Sequence, residues 1–182
     1  MLGSIDSLKE PRMPYSLATL LHSAAIGIGA TLLMDGWSIL RKHLLGMPSL
    51  DYALVGRWVG HMPRGQFHHA AIGKAEPIAA ERALGWLVHY LTGILFAALL
   101  IGATGRGWLC APTLLPALAF GLATVLLPFL VMQPAFGLGI AAAKTAHPGK
   151  ARFHSVLTHL VFGAGLYLAA QIGLLLPVAC AN

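Results

Sequence analysis

Four apolar stretches govern what this chain can fold into. They cover residues 16–40, 83–103, 113–143 and 155–178, and the last three contain no Asp, Glu, Lys or Arg. Each reaches the roughly 20 residues that a helix needs to cross the hydrocarbon of a bilayer. A soluble domain must keep much of its exterior wet, and about a quarter of its residues are charged. This chain of 182 residues is 10% charged and 57% hydrophobic, with a mean hydropathy of +0.74. A soluble helical protein is thereby set aside. In hydrocarbon the backbone must satisfy its own hydrogen bonds, which a helix does within one segment. The pattern predicts an all-α membrane protein, a bundle of four transmembrane helices.

The third stretch is too long for one simple span and contains Pro116, Pro128 and Pro134. Proline removes a backbone donor and kinks or breaks a helix. We expect a span to about Met132, a break at "QPAFG" and a short second helix through Ala143. Residues 1–14 read as a disordered leader, with Met13 an alternative start, and residues 15–182 as a single transmembrane domain. The first run is no cleavable signal peptide, because it is long, carries Asp35 and lacks a cleavage site before a polar mature chain. Within the loop 41–82, "PSLDYALVGRWVGHM" places Leu50, Leu54 and Trp58, with Val55 and Val59, on one helical arc. That predicts a short interfacial helix capped by Ser49, with Asp51 in its first turn.

Basic residues favour cytoplasmic loops. Arg41, Lys42, Arg57, Arg64, Lys74 and Arg82 lie between the first two spans, and Lys144, Lys150 and Arg152 between the last two. Only Lys9, Arg12 and Arg106 fall on the other side, so nine against three puts both termini in the periplasm. The net charge of +6 suits anionic lipid headgroups, and no separate basic domain exists for nucleic acid. Cys110 and Cys180 share the external side, where they read as two unpaired thiols, with a disulfide the alternative in an oxidising compartment.

Small residues recur four apart, as Ser23, Gly27 and Thr31, then Ala135, Gly139 and Ala143, so the helices pack closely. Arg82, His89 and Gly93 repeat the spacing of Arg152, His159 and Gly163. Gly27/Gly29 and Gly137/Gly139 precede them. The match suggests two helix pairs related by an axis along the membrane normal.

At about 1.5 Å of rise per residue, Asp35 lies roughly 9 Å inside Arg41, and His89 and His159 about 10 Å inside the same surface. A charge in hydrocarbon is costly unless paired and faces the bundle interior. Asp35 is therefore expected to meet His89, His159 or Lys144 in a polar pocket, fringed by Glu81 and His154, with Gln133 deeper at the break. Asp51, Arg57 and His61 are loop candidates. His61, His68 and His69 match no recognised ligand spacing and read as interfacial histidines rather than a metal site. No cofactor is expected, though haem between His89 and His159 is a minor alternative.

The segments "ATLLMDGWSIL", "PSLDYALVGRWVGHMPRGQF", "ERALGWLVHYLTGILFA", "LMQPAFGLGIAAAKT" and "HLVFGAGLY" resemble a family of small bacterial inner-membrane proteins filed as a domain of unknown function. The resemblance covers about residues 16–172. It implies a four-span protein of a Gram-negative inner membrane, and no activity. The family's polar pattern falls on Asp35, Asp51, Arg57, His61, Glu81, His89, Gln133, Lys144 and His159.

Two functional classes follow. One is a small binding or transport component with a cytoplasm-facing polar pocket, working among membrane lipids and suited to a homo-oligomer or a membrane-protein complex. The other is a membrane enzyme acting on a lipid or isoprenoid-type substrate, with Asp35, His89 or Glu81 as acid or base. A purely structural accessory subunit is a third reading. The sequence holds no Ser–His–Asp arrangement, Walker loop or HExxH, which favours the first. The topology is checked by reporter fusions: residues 41–82 should read cytoplasmic and the C-terminus periplasmic, and a cytoplasmic C-terminus overturns the assignment.

Overall fold

The computed structural model describes residues 17–46 and 50–173. The leader 1–14, Met13, Ser49 and Cys180 lie outside the described residues. Those described form helices and no strand: α1 (Leu17–Leu45), α2 (Tyr52–His61), α3 (Glu81–Thr104), α4 (Arg106–Cys110), α5 (Leu114–Thr124), α6 (Gln133–Ala135) and α7 (Pro148–Gly173). Four segments are long and apolar enough to cross a membrane, Thr19–Leu45, Glu81–Thr104, Leu114–Ala135 and Pro148–Gly173. The protein is a multi-pass membrane protein.

α1 runs past Arg41 and Lys42 until Gly46, whose φ of 62° and N–H to the Lys42 carbonyl end it in a left-handed cap. α2 is capped by Asp51, whose Oδ1 accepts from the Ala53 N–H at 3.0 Å. Asp51 thus stands at the cap, not in the first turn.

After α5 the chain takes a π-helical turn at Pro128–Met132, then α6. Pro128 has no N–H to continue the α ladder, and the Gln133 N–H reaches back to the Pro128 carbonyl. The short helix expected through Ala143 shrinks to one 3₁₀ turn, Ile140–Ala142. Gly137 and Gly139, at φ 86° and 75°, turn the backbone first. The N–H groups of His69 and Ile72 bond the Ala135 and Phe136 carbonyls at 2.8 and 3.2 Å, tying the 66–75 segment to this turn.

α1 packs against α3 and α7, and α5 against α7. The approach is close because glycines line it. A Cβ on Gly27 would lie 2.5 Å from the Ile94 Cα, and one on Gly121 would lie 2.5 Å from the Gly163 Cα. The two repeated segments therefore make like contacts, Gly93 against Gly27 and Thr31, Gly163 against Ala117 and Gly121. The counterpart of Gly27 is Gly121, which corrects the pairing with Gly137/Gly139, since those lie in the turn. Ile26, Ala30, Leu100, Phe162 and Leu166 form the apolar core. Leu32, Leu91, Leu95 and Leu115 stay exposed on outer faces suited to lipid. No cysteine is free among the described residues, which corrects the unpaired thiol expected at Cys110.

α2 lies on the start of α3. Gly56 abuts the Glu81 carbonyl and Gly85 the Tyr52 carbonyl, so neither position has room for a side chain. Gly85→Leu should push α2 off α3 and cost about 1–3 kcal/mol through overpacking. Thermal unfolding in detergent checks this beside Gly73→Ala, a site with open space; equal melting of the two variants refutes it.

Candidate functional site

Asp35 sits one turn beyond Thr31, on the face of α1 that meets α3. His89 Nε2 lies 3.0 Å from Asp35 Oδ1, and the Tyr90 hydroxyl donates to Oδ2 at 3.1 Å. The Tyr52 hydroxyl donates to Oδ1 at 3.3 Å and lies 2.8 Å from His89 Nε2. Tyr52 also stacks on His89, with ring centroids 4.2 Å apart. The Asp35 and His89 side chains are each 12% exposed.

These contacts fix where the protons sit. A carboxylate only accepts, and the single Tyr52 proton goes to Oδ1. His89 Nε2 must therefore carry a hydrogen, shared between Asp35 and the Tyr52 oxygen. Burial, and then the neighbouring Asp35 charge, push the Tyr52 hydroxyl far above its ordinary range, so it remains a donor. The partner expected for Asp35 is present, with two tyrosines beside it.

The second histidine works differently. The Thr124 hydroxyl donates to the Gly121 carbonyl at 2.6 Å, so its oxygen accepts from His159 Nδ1 at 2.8 Å. That leaves His159 Nε2 as the ring's free acceptor. His159 borders two cavities. One, of 220 Å³, is apolar and reaches Phe96, Leu127 and Phe162. The other, of 740 Å³, reaches Arg41, Asp35, Gln133, Lys150 and His154. Met34, Leu50, Tyr52, Pro128, Met132 and His159 belong to the walls of both.

The remaining candidates divide. Gln133 is buried at the wall of the larger cavity. Glu81 instead forms a two-pronged pair with Arg57, Nε to Oε2 and Nη2 to Oε1, each at 2.8 Å. Arg57 also donates to the Ala75 carbonyl at 3.0 Å, so this pair fastens α2 and its loop to α3. Asp51 caps α2 at the surface. Lys144 is exposed and borders neither cavity. His61 Nδ1 lies 2.8 Å from His69 Nε2. Burial first, then His61, lowers the His69 pKa. Among the described residues no group of three or more His, Cys, Asp or Glu is placed to hold a metal. Sequence reasoning missed Tyr52 and Tyr90, and took Arg41 for a surface anchor although it is 8% exposed. Tyr90 adjoins His89 in sequence, which was a usable signal; nothing local marks Tyr52.

Residues 24–173 match the family described as Protein of unknown function (DUF2938). Comparison with curated proteins and with solved structures brings out no match.

Asp35→Leu strands the donors of His89, Tyr52 and Tyr90 and should cost about 1–3 kcal/mol, whereas Asp35→Asn keeps an acceptor and costs less. Equal unfolding midpoints for Asp35→Leu and the unaltered protein contradict this.

A pH effect follows from His69. Its folded pKa lies below the unfolded value, so its contribution is present above the ordinary histidine range and is lost as pH falls through the depressed value. Hydrogen exchange in residues 66–75, corrected for intrinsic rate, should rise on acidification, and less so in His69→Gln. Protection that is independent of pH argues against it.

Proposed function

We propose a membrane-embedded binding or transport role for this chain, which belongs to the DUF2938 family of proteins of unknown function. The observation that carries the proposal is the pair of adjoining cavities, 220 and 740 Å³, with common walls at Tyr52, Met132 and His159. Protein interiors pack densely, and a lined space of several hundred Å³ with convergent polar groups suits a small molecule.

The larger cavity lies at the end where α1 finishes and α7 begins. We take that end as cytoplasmic, on the nine-to-three distribution of basic residues, within a bacterial inner membrane with both termini periplasmic. In this reading α2 rests at the interface, and the interrupted third span supplies the irregular backbone that membrane binding sites use. Lipids are the immediate partners, and the exposed outer faces suit a homo-oligomer or a membrane-protein complex. Our reading assigns no haem, and the contacts of His89 Nε2 with Asp35 and Tyr52 support a hydrogen-bonded rather than a ligating role for that nitrogen.

One observation favours the enzyme reading as runner-up. His159 borders both cavities, and its Nε2, left as an acceptor, has the chemistry of a general base. A structural accessory subunit needs no such cavity.

The test is native mass spectrometry of the purified chain. We expect a co-purifying small molecule that is lost in Met132→Trp, which adds bulk to a common wall, while helix content is unchanged. A ligand load that Met132→Trp leaves intact argues against these cavities.

A further inference from the structure

Arg41 raises a separate question. It is 8% exposed, yet among the described residues the ion pairs are Arg57–Glu81 and His89–Asp35. Its Nη1 reaches the Thr158 hydroxyl at a long 3.5 Å, and its buried Nε has no partner. Thr158 spends its own proton on the His154 carbonyl. A buried cation without a counter-charge is strongly unfavourable.

The cavity beside Arg41 has the same bias. Lys150, His147 and His154 border it, and the one carboxylate among the described residues of its wall is Asp35, whose oxygens already accept from His89, Tyr52 and Tyr90. Gln133 is 7% exposed with an unpartnered Oε1, and His154 Nδ1 is also unpartnered. These polar atoms are desolvated at a cavity wall, an arrangement that calls for a ligand group. The adjoining cavity is the opposite, almost wholly apolar between Phe96, Leu127, Val131 and Phe162.

We infer that the site takes an anionic amphiphile, its phosphate-type head against Arg41 and Lys150 and its hydrocarbon portion toward Phe96 and Phe162. The inference rests on the binding role above and names its ligand class. An anion neutralises the stranded guanidinium, and charge-assisted hydrogen bonds from arginine suit phosphate oxygens. The apolar compartment distinguishes a lipid from a soluble phosphate.

The test uses the full chain in detergent with three probes: phosphatidic acid, phosphatidylcholine of the same acyl chains, and inorganic phosphate. Native mass spectrometry should show phosphatidic acid retained over phosphatidylcholine by about tenfold, as expected for a charged hydrogen bond. Arg41→Gln should abolish the preference and Arg41→Lys keep part of it. Lys150→Gln, at an exposed position, should weaken it. Lys42→Gln, exposed and one residue further along α1, should leave it intact.

Equal retention of the two lipids overturns the inference, as does a preference that survives both Arg41→Gln and Lys150→Gln. Inorganic phosphate displacing phosphatidic acid at equal concentration overturns the amphiphile assignment. Phosphatidylcholine retained without preference and lost in Met132→Trp sinks the anionic head but leaves the binding role standing. No retained small molecule of any kind sinks both.

Discussion

A carboxylate within hydrocarbon has to be met by donors, and the rest of this structure is arranged around meeting Asp35. An unpaired acid at the centre of a span costs about 2.5–3.5 kcal/mol on insertion scales. Here three donors from two other helices converge on it, His89 and Tyr90 from α3 and Tyr52 from α2. The requirement reaches far along the chain. Tyr52 arrives only because α2 folds back onto α3, which needs Gly56 and Gly85 at the crossing and the Arg57–Glu81 pair to hold it. α1 comes close enough to α3 only because Gly27 and Gly93 face each other.

The two cationic sites near this cluster contrast with it. Arg57 is buried and fully used, by Glu81 and by loop carbonyls. Arg41 is buried and barely used. Two arginines of similar burial thus play different parts, one a fastening and the other a group still lacking its counter-charge. The halves of the bundle diverge in the same way. His89 and His159 occupy matching places in the repeat, yet one is locked to a carboxylate and the other bonds a threonine and keeps an open acceptor beside the cavities.

Much of this was legible in the sequence, because hydrophobic runs and rise per residue fix which residues share a depth. Depth brought Asp35 together with His89 and put Gln133 near the break. It says nothing about which way a side chain faces around its helix. Lys144 therefore seemed a partner for Asp35 and Glu81 a group at the pocket's fringe, while Lys144 lies exposed and Glu81 is taken by Arg57. Tyr52 was illegible for a different reason, since its place depends on a loop path with no periodicity. Arg41 looked like an interfacial anchor because a sequence does not reveal that α7 covers the last turn of α1 at Thr158. The helix expected through Ala143 failed where Gly137 and Gly139 adopt positive φ.

The account turns on one proton. If Asp35 is the acceptor around which the helices assemble, His89 carries hydrogen on Nε2, and that hydrogen bonds to Asp35 and Tyr52. Nitrogen-15 NMR of histidine-labelled protein in bilayers reads this directly, with the resonance assigned through His89→Gln. The account predicts a protonated, hydrogen-bonded Nε2 whose signal shifts in both Asp35→Asn and Tyr52→Phe. An Nε2 without hydrogen, or a signal indifferent to both substitutions, would contradict it.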